Sequence, residues 1–392
     1  MAHTDPRNPK RYGGFVRGTV CLLAVLIISV AAMALAVWRA PIWVGTKLLQ
    51  VQLYLAGIHS YSMSLDGQKV HYIEGGTGDP VVLVHGLGAT AQFNWRNVIP
   101  ALMRSGHHVY AMDLLGYGES AMPSDRSYSI TEEAKFVEAF LDAKHLDRLA
   151  MAGVSMGGWI AATVALNQPQ RITRLILIDS AGLSFTPDFD LALFTPRNRE
   201  QIDAQMAILT PHPWRIPGFV KDDLIRRVAR HAWVIKRSLA SMETGADLLD
   251  QRFSSLNMPL LLVWGQQDVL TPLAIGQRMH QTAPQSVLEV YEDCGHLAVE
   301  TCTDRIGPRI SSFLAGTGPP AGATVEVPAA GDHRHEGSGH PLFPATPPDM
   351  RVHIGRFRGL PKTIEQPRKT ERVKVGQGAD HKAGLFARRQ GP

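Results

Sequence analysis

Cysteine is scarce in this chain, at three of 392 residues. Three cysteines are too few for a disulfide scaffold or for a metal site built from cysteines. Charged residues make up only 19% of the chain, whereas hydrophobic residues reach 45% and supply ample material for a core. This composition excludes collagen-like, coiled-coil and wholly disordered chains.

The chain also lacks a surplus of basic charge outside its last 78 residues. The formal net charge is +5, but residues 315–392 carry 12 Lys/Arg against 7 Asp/Glu, which leaves 28 of each sign in the rest. A balanced folded part argues against a nucleic-acid partner, because such proteins carry a basic face.

Charge is absent altogether from residues 18–38, where Thr19, Cys21 and Ser29 are the only polar interruptions. At about 1.5 Å per residue, this run spans roughly the 30 Å of a hydrocarbon core. Core helices are rarely apolar all round for this length, so we predict a transmembrane anchor. A cleaved signal peptide is the alternative, because residues 34–36 resemble a cleavage site, although the run is longer than a usual signal-peptide core.

The cations that flank the run predict its orientation. Four precede it and two follow it: Arg7, Lys10, Arg11 and Arg17, then Arg39 and Lys47. The positive-inside rule therefore predicts a cytoplasmic N-terminus over 1–17 and a catalytic domain on the non-cytoplasmic side of the membrane. Residues 39–67 are predicted to form an amphipathic linker, which lies at the interface or packs on the domain.

Apolar strand patterns alternate with helical patterns from residue 68 to residue 314. The predicted strands are 70–73, 81–85, 108–112, 149–154, 175–178, 260–264 and 287–291. The main predicted helices are 131–144, 159–167 and 273–281. Continuous Val/Ile/Leu strands separated by helices are typical of a mostly parallel central sheet with helices on both faces. The fold class is therefore α/β, with a core at 68–181 and 257–314.

Two regions break this rhythm. Residues 182–256 are helical in pattern, rich in proline, and contain a cluster of apolar side chains, so we predict a helical lid inserted into the core. Residues 315–392 are rich in Gly, Pro, His and cations without a sustained apolar period. Such a segment cannot bury enough surface to offset its conformational entropy, and we predict a disordered basic tail.

Ser155 lies in the pattern Gly-Val-Ser-Met-Gly at 153–157, after an apolar strand and before a helix of small residues. This is the context of a nucleophile elbow, in which a strained turn presents the serine hydroxyl at the edge of the sheet. The glycines are required because neighbouring backbone passes close to the turn. We predict that Ser155 is a nucleophile.

A serine nucleophile needs a base and a carboxylate that orients it. His296 follows the last predicted strand of the core, at the sheet edge where the ligand sites of α/β proteins collect. Asp268 follows the strand 260–264, and we prefer it to Asp179, which we expect to cap a helix or to bond locally. Asp113 is excluded by the order Ser, Asp, His along the chain.

Two backbone N–H groups are predicted to receive the oxyanion. One belongs to Met156, directly after the nucleophile, and the other to Leu87, in the loop His-Gly-Leu-Gly at 85–88. His85 is expected to be structural and held by hydrogen bonds.

The ordered motifs HGLG (85–88), MDLLGYGES (112–120), GVSMGG (153–158), WGQQD (264–268) and CGHLAVE (294–300) resemble the α/β-hydrolase superfamily over residues 68–314. Within it, the chain is most similar to membrane-anchored monoacylglycerol lipases and bacterial family V lipases. The resemblance implies a triad of Ser155, Asp268 and His296, an oxyanion hole at Leu87 and Met156, and a lid at 182–256. The tail at 315–392 has no expected counterpart in that family.

The interpretation that follows is a membrane-anchored serine hydrolase that acts on esters of lipids through an acyl-enzyme. This chemistry requires no cofactor and no metal, and the oligomeric state is not predicted. We expect an acyl pocket lined by apolar side chains of the insertion, with ordinary lid packing as the alternative: Phe185, Phe189, Leu193 and Phe194. Cys294 and Cys302 flank His296, and we expect free thiols.

Two other functions stay open. Carbon–carbon hydrolases of aromatic degradation share the serine, aspartate and histidine motifs, but they usually have HGxGPG and a Trp after the histidine, where this chain has HGLGAT and Leu297. A binding protein that keeps the pocket and turns over slowly is the other. Dehalogenases and epoxide hydrolases resemble this fold too, but they carry Asp at the nucleophile position, and Ser155 excludes both.

Overall fold

A computed structural model describes residues 9–329, with side chains from residue 19 onward. The described part of the chain begins with helix α1 (Pro9–Arg39), which contains an apolar stretch, Thr19–Arg39, of mean hydropathy 3.0 that is not buried against the rest of the protein. Within the described residues it is the one helix with the length and composition of a membrane anchor or a signal sequence. Helix α2 (Pro41–Leu55) follows after Ala40, with a proline in its first turn.

One nine-stranded sheet forms the core, in the order β1-β2-β4-β3-β5-β6-β7-β8-β9. The pairs β1/β2 and β2/β4 are antiparallel, and the other six pairs are parallel. The strands are β1 (Ile58–Leu65), β2 (Gln68–Gly76), β3 (Asp79–Val84), β4 (His107–Met112), β5 (Leu149–Val154), β6 (Ile172–Ile178), β7 (Leu260–Gly265), β8 (Ser286–Tyr291) and β9 (Thr324–Val327).

Helices cover both faces of the sheet. The remaining helices are α3 (Ala91–Trp95), α4 (Ile99–Arg104), α5 (Ile130–Ala143), α6 (Met156–Asn167), α7 (Arg199–Leu209), α8 (Gly218–Glu243), α9 (Leu273–Thr282), α10 (Ala298–Thr301) and α11 (Thr303–Leu314). Two short 3-10 turns lie at Leu191–Phe194 and Phe253–Ser255. One face is packed by α5, α6, α8 and α9, and the other by α2, α3, α4, α10 and α11.

The alternation of side chains along each strand builds these two layers. In β3, Val82 and Val84 join the cluster under α5 and α6, whereas Val81 and Leu83 join the cluster on the opposite face. All four side chains are fully buried, which explains why the strand is a continuous apolar run. The predicted α/β class, a mostly parallel central sheet with helices on both faces, is thereby confirmed.

Two predicted boundaries were wrong. The linker predicted at 39–67 is helical only up to Leu55, because residues 58–65 form strand β1 and pair with β2. The tail predicted to begin at residue 315 still contributes strand β9, which pairs with β8 through the register Leu288 to Thr324. Both strands lie at edges of the sheet and bury few side chains, so their sequences lack a strong apolar pattern. Of the predicted tail, residues 330–392 lie outside the described residues, as do residues 1–8 of the predicted cytoplasmic segment.

The insertion at 182–256 contains α7, α8 and the two 3-10 turns, as the helical pattern predicts. Helix α8 packs on the core through Val234 and Ile235, which are buried. The carboxyl end of α7 contacts the loop that follows β8, where Leu297 N donates to Leu209 O at 3.0 Å. The insertion therefore lies over the carboxyl edge of the sheet, and its role as a lid remains a prediction.

Candidate active site

Ser155 lies at the junction of β5 and α6, with φ 55° and ψ −122°. Non-glycine residues rarely adopt a positive φ, and such strain clusters at functional sites. Every residue from 149 to 165 is buried except Ser155. Ser155 is therefore the one partly exposed residue between a buried strand and a buried helix.

Two glycines make this turn possible through close backbone approach. A Cβ on Gly153 would lie 2.2 Å from Gly157 O, and a Cβ on Gly157 would lie 2.4 Å from both Val84 O and His85 O. These distances are far below van der Waals contact, so a larger residue at 153 would clash with the backbone of the turn itself, and one at 157 would push the turn away from the end of β3. The spacing of the glycines is thus dictated by geometry, as the sequence pattern predicts.

His296 and Asp268 form a buried pair at the same edge of the sheet. Asp268 follows β7 and His296 follows β8, and His296 Nδ1 lies 2.9 Å from Asp268 Oδ2. An ionised carboxylate accepts from an N–H, so this contact places the imidazole proton on Nδ1 and leaves the lone pair on Nε2. In this pair His296 can act as a general base through Nε2, and Asp268 holds its ring in one tautomer.

Asp268 is fixed by several donors. Its Oδ1 accepts from Leu270 N at 2.8 Å and from Thr271 N at 2.9 Å, and its Oδ2 accepts from Thr271 Oγ1 at 2.7 Å. Thr271 Oγ1 also lies 3.1 Å from His296 Nδ1, so this threonine contacts both members of the pair. Sequence reasoning missed Thr271, although a threonine three residues after an aspartate in a turn is a recognisable local hydrogen-bonding pattern.

The structure brings Ser155, Asp268 and His296 to the carboxyl ends of β5, β7 and β8. Among the described residues, however, Ser155 Oγ makes no hydrogen bond to His296. Catalytic contacts of this kind are often long in the absence of substrate and tighten when it binds.

Asp179 was the rival carboxylate, and the structure gives it a different place. Its Oδ1 accepts from Gly265 N at 2.8 Å, at the end of β7, so the expected local bond was wrong, and the N–H of Ala298 at the start of α10 is a second backbone donor to this carboxyl group. Asp179 follows β6 and is fully buried, with φ 44°. Burial, and then the neighbouring charge of Asp268, raise the pKa of Asp179 well above its usual range. This shift favours the protonated form of Asp179, so the negative charge of the two acids is favoured on Asp268, which faces His296.

The predicted oxyanion donors lie on two segments that meet at Ser155. A Cβ on Gly86 would lie 3.3 Å from both Ser155 Cβ and Val154 O, so the loop at 85–88 packs directly against the nucleophile. Neither Leu87 N nor Met156 N has a hydrogen-bond partner within residues 9–329. Met156 also begins helix α6, whose dipole favours negative charge at this end.

His85 is structural, as expected from the sequence. It is fully buried, its Nδ1 lies 2.8 Å from Gly86 O, and its Nε2 accepts from Leu114 N at 3.0 Å. Burial lowers the pKa of His85, so the ring stays neutral and holds the loop by one donated and one accepted hydrogen bond.

A second contact, made by Asn94, also holds the loop at 85–88, and sequence reasoning missed it. Gly86 N donates to Asn94 Oδ1 at 3.0 Å, and Asn94 Nδ2 donates to Glu300 Oε1. Glu300 lies four residues after His296, and its other carboxyl oxygen, Oε2, is buried. Burial raises the pKa of Glu300 to about 7, although the bond from Asn94 and the nearby Arg96 oppose this shift. The loop after β3 is thus tied to the segment that carries His296.

The expectation of free thiols beside His296 was wrong. Cys294 and Cys302 form a disulfide with a Cα–Cα distance of 6.5 Å. The short helix α10 lies between the two cysteines. It turns the chain back, so the two side chains meet although they are eight positions apart in the sequence. Sequence separation alone does not reveal such a reversal.

The four predicted pocket residues are all half-buried or exposed at the surface of the insertion. Phe185 and Phe194 pack against the main core cluster, and the Phe189 ring makes an edge contact with Phe194 at 6.2 Å between centroids. Leu193 lies in the 3-10 turn Leu191–Phe194. These contacts are those of packing within the insertion, and their role as an acyl pocket remains a prediction.

A family model described as the alpha/beta hydrolase fold matches residues 79–301, more than half of the chain. Among curated relatives, 2-hydroxymuconate semialdehyde hydrolase of Pseudomonas sp. (strain CF600) is 29% identical over 271 residues, which cover 64% of this chain and 91% of the relative.

Among solved structures, a membrane phospholipase A described as a bacterial virulence factor superposes with a TM-score of 0.65 and 27% identity, covering 76% of this chain and 99% of its own. A meta-cleavage product hydrolase from Pseudomonas fluorescens IP01 superposes with a TM-score of 0.58 and 25% identity, covering 65% and 97%.

Proposed function

The chain belongs to the α/β-hydrolase fold family, and from that premise we propose that it is a membrane-anchored serine hydrolase that cleaves carboxylic esters of lipids. The observation that carries the proposal is the buried contact of 2.9 Å between His296 Nδ1 and Asp268 Oδ2 at the sheet edge that also presents Ser155. A base of fixed tautomer at the same sheet edge as a partly exposed, strained serine is the arrangement from which acyl transfer can proceed.

In this proposal Ser155 Oγ attacks the acyl carbonyl while His296 Nε2 takes its proton. Asp268 stabilises the imidazolium, and the N–H groups of Leu87 and Met156 donate to the oxyanion. The imidazolium then gives its proton to the leaving alcohol, which departs and leaves an ester on Ser155. Water, deprotonated by His296, attacks that ester; the imidazolium then returns the proton to Ser155 Oγ as the acid is released.

Three observations support, in turn, a membrane location, a lipid substrate and the side of the membrane on which the catalytic domain lies. Helix α1 carries an unburied stretch of 21 residues that is long and apolar enough to span a bilayer. A solved structure with 27% identity is named a membrane phospholipase A. The disulfide between Cys294 and Cys302 suits an oxidising compartment, and therefore a catalytic domain on the non-cytoplasmic side.

A second candidate is carbon–carbon hydrolysis of a meta-cleavage product with the same residues. The observation in its favour is the similarity to 2-hydroxymuconate semialdehyde hydrolase, at 29% identity. The two candidates differ in the bond that is broken and share the same nucleophile.

Separate assays with the two classes of substrate test the proposal. The full chain is assayed in detergent with monoacylglycerols and p-nitrophenyl esters of graded chain length, and in parallel with 2-hydroxymuconate semialdehyde. We expect the higher kcat/KM for an ester of medium or long chain, because the predicted pocket is apolar. Turnover of the semialdehyde without ester turnover would replace the proposal by the second candidate, and turnover of neither would leave a binding role.

A further inference from the structure

A cleft lies where the end of helix α1 meets the insertion. It has a volume of about 550 Å³ and is lined by Trp38, Arg39, Arg199, Phe219, Asp222 and Arg226. None of these residues belongs to the candidate active site. Three arginines and one aspartate give the lining an excess of positive charge.

The cleft begins at the last residues of the apolar stretch Thr19–Arg39. If this stretch spans a bilayer, as proposed above, then its end lies at the level of the lipid headgroups. The two aromatic side chains of the cleft fit that level, since Trp38 is 60% exposed and Phe219 is 36% exposed. Aromatic rings at such positions are typical of the interface between membrane and water.

Helix α2 keeps the cleft at this level. It carries large apolar side chains that are exposed: Trp43, Leu48, Val51, Tyr54 and Leu55. Its apolar contacts with the core are made through Leu49 and Leu53. Exposed apolar side chains directly after a membrane span fit a helix that lies in the interface.

The insertion is bonded to this junction. Asp223 Oδ2 accepts from Ile42 N at 3.1 Å, and Arg226 Nη2 donates to Arg39 O at 3.2 Å. Helix α8 is therefore attached to the segment that joins α1 to α2. The cleft therefore lies at a hydrogen-bonded junction between the end of α1 and the insertion.

The arginines differ in how far they are already paired. Arg199 makes a two-point contact with Asp222, at 2.7 and 2.5 Å, and about half of its side chain is exposed. Arg226 bonds to Asp223 and to Arg39 O. The guanidinium of Arg39 is exposed and makes no ion pair within the part of the chain that the structure describes. Guanidinium groups favour phosphate oxygens, to which they donate two parallel hydrogen bonds.

We propose that this cleft binds the phosphate of an anionic phospholipid headgroup of the surrounding bilayer, with Arg39 and Arg199 as the donors and the acyl chains lying along Trp38 and helix α2. The site is separate from the ester-cleaving residues. It rests on the membrane-anchored part of the proposed function and is independent of the esterase chemistry.

Lipid retention tests the proposal without relying on catalysis. The full chain is placed in nanodiscs of ether-linked phosphatidylcholine with about 10 mol% ether-linked phosphatidylglycerol, an anionic lipid that attracts basic groups. Ether lipids contain no ester to cleave. After extraction into mild detergent, native mass spectrometry counts the lipids that remain bound. We expect phosphatidylglycerol to be enriched over its share of the nanodisc.

Variants of the cleft give effects of opposite sign. Arg39→Gln with Arg199→Gln should lower the enrichment by roughly fivefold for each arginine, the typical contribution of a cation near an anionic membrane surface. Asp222→Asn frees Arg199 and should raise the enrichment. Arg104→Gln with Arg148→Gln removes the same charge at exposed positions away from the cleft and should change nothing.

Three results would overturn the proposal. Equal retention in the cleft variant and in its charge-matched control would show that the net charge of the protein, and no particular site, attracts the lipid. Displacement of the lipid by millimolar inorganic phosphate would assign the cleft to free phosphate. Failure of the full chain to insert into nanodiscs would remove both this proposal and the membrane anchor, while ester hydrolysis in detergent would still be testable.

Discussion

The described part of the molecule contains two Ser-His-Asp arrangements, and their differences indicate which of the two is suited to nucleophilic chemistry. In one, Ser60 Oγ lies 2.7 Å from His71 Nε2, and His71 Nδ1 lies 2.7 Å from Asp113 Oδ2. In the other, His296 Nδ1 lies 2.9 Å from Asp268 Oδ2, and Ser155 Oγ makes no hydrogen bond to the ring. By contact distances alone, the first set looks the better assembled of the two.

The backbone around each serine reverses that ranking. Ser60 lies within the regular edge strand β1, with ordinary extended geometry. Ser155 lies on a turn with a positive φ, at the start of the 12-residue helix α6 and against the loop at 85–88. Of the two serines, Ser155 alone lies beside the predicted oxyanion donors, the N–H groups of Leu87 and Met156, which would stabilise the charge that develops during acyl transfer.

The two carboxylates also differ in their surroundings. Burial acts to raise the pKa of Asp113, but the hydrogen bond from His71 and the nearby His85 outweigh it, and the pKa is lowered. Asp113 further accepts from Ala91 N and Glu119 N and so organises two turns. Asp268 instead has a second buried acid beside it, Asp179, whose pKa is raised. We therefore interpret the first set as structural support and the second as a site for chemistry.

The largest expected effect separates the two serines. Ser155→Ala should lower kcat for ester hydrolysis by about 10⁶, because a triad nucleophile has no substitute. Ser60→Ala should leave kcat/KM unchanged, because no oxyanion donors face Ser60. Steady-state kinetics on p-nitrophenyl esters, with circular dichroism as a check on folding, measure both. A comparable loss of activity in the two variants would contradict the assignment of Ser155 as the nucleophile.

The next effect separates the two aspartates. Asp268→Asn should lower kcat by about 10⁴, since the amide no longer fixes the imidazole tautomer or stabilises its cation. Asp113→Asn should instead cost about 1–3 kcal/mol of unfolding free energy, because it weakens a buried hydrogen-bonded network. Denaturant unfolding together with kcat shows which property each variant loses. A stability loss in Asp268→Asn without a rate loss would contradict the assignment.

The next effect is a pH dependence of the free energy of unfolding that comes from the buried acid Glu300. The pKa of Glu300 is raised from 4.5 to about 7, so its neutral form stabilises the fold below pH 4.5 and that contribution is lost as the pH rises through 7. Glu300→Gln should therefore stabilise the protein at pH 8 by about 3 kcal/mol and by much less at pH 4.5. Thermal unfolding at the two pH values measures this difference.

Glu200→Gln is the matched control for that experiment, because it removes an exposed carboxylate at the start of α7. A gain of the same size in both variants, or a gain for Glu300→Gln that does not depend on pH, would show that Glu300 is not a buried neutral acid.

The smallest expected effect concerns the hydroxyl of Ser60 itself. Ser60→Ala should cost about 1 kcal/mol of unfolding free energy, the usual contribution of one hydrogen bond. Ser62→Ala changes an exposed serine of the same strand and serves as the control. Urea unfolding of the two variants measures the difference. An equal effect of both changes would mean that the contact between Ser60 and His71 adds nothing to stability.

Sequence patterns predicted the parts of the molecule that local periodicity controls. The strands before Ser155 and Asp268 are continuous apolar runs, and the strand before His296 is interrupted only by Ser286 and Glu289, so the amino-acid sequence predicts that all three residues lie at one edge of the sheet. The edge strands β1 and β9 could not be found, because their side chains are largely exposed. A half-exposed strand resembles a loop in its composition.

Contacts between distant segments were beyond the sequence patterns. Asn94 and Glu300 are 206 residues apart, and nothing near either residue indicates the other. The set of Ser60, His71 and Asp113 was missed for the same reason, since it joins two strands and a turn through tertiary packing. The partner of Asp179 was predicted wrongly because a short-range rule was applied to a bond that crosses to β7.

The most direct test of the central claim is to locate the acyl group during turnover. The full chain is mixed with p-nitrophenyl hexanoate and quenched in acid within the first turnovers, and its peptides are analysed by mass spectrometry. We predict a hexanoyl group on the peptide that contains Ser155 and an unmodified peptide around Ser60. An acyl group on Ser60, or ester turnover without any acylated serine, would contradict the account.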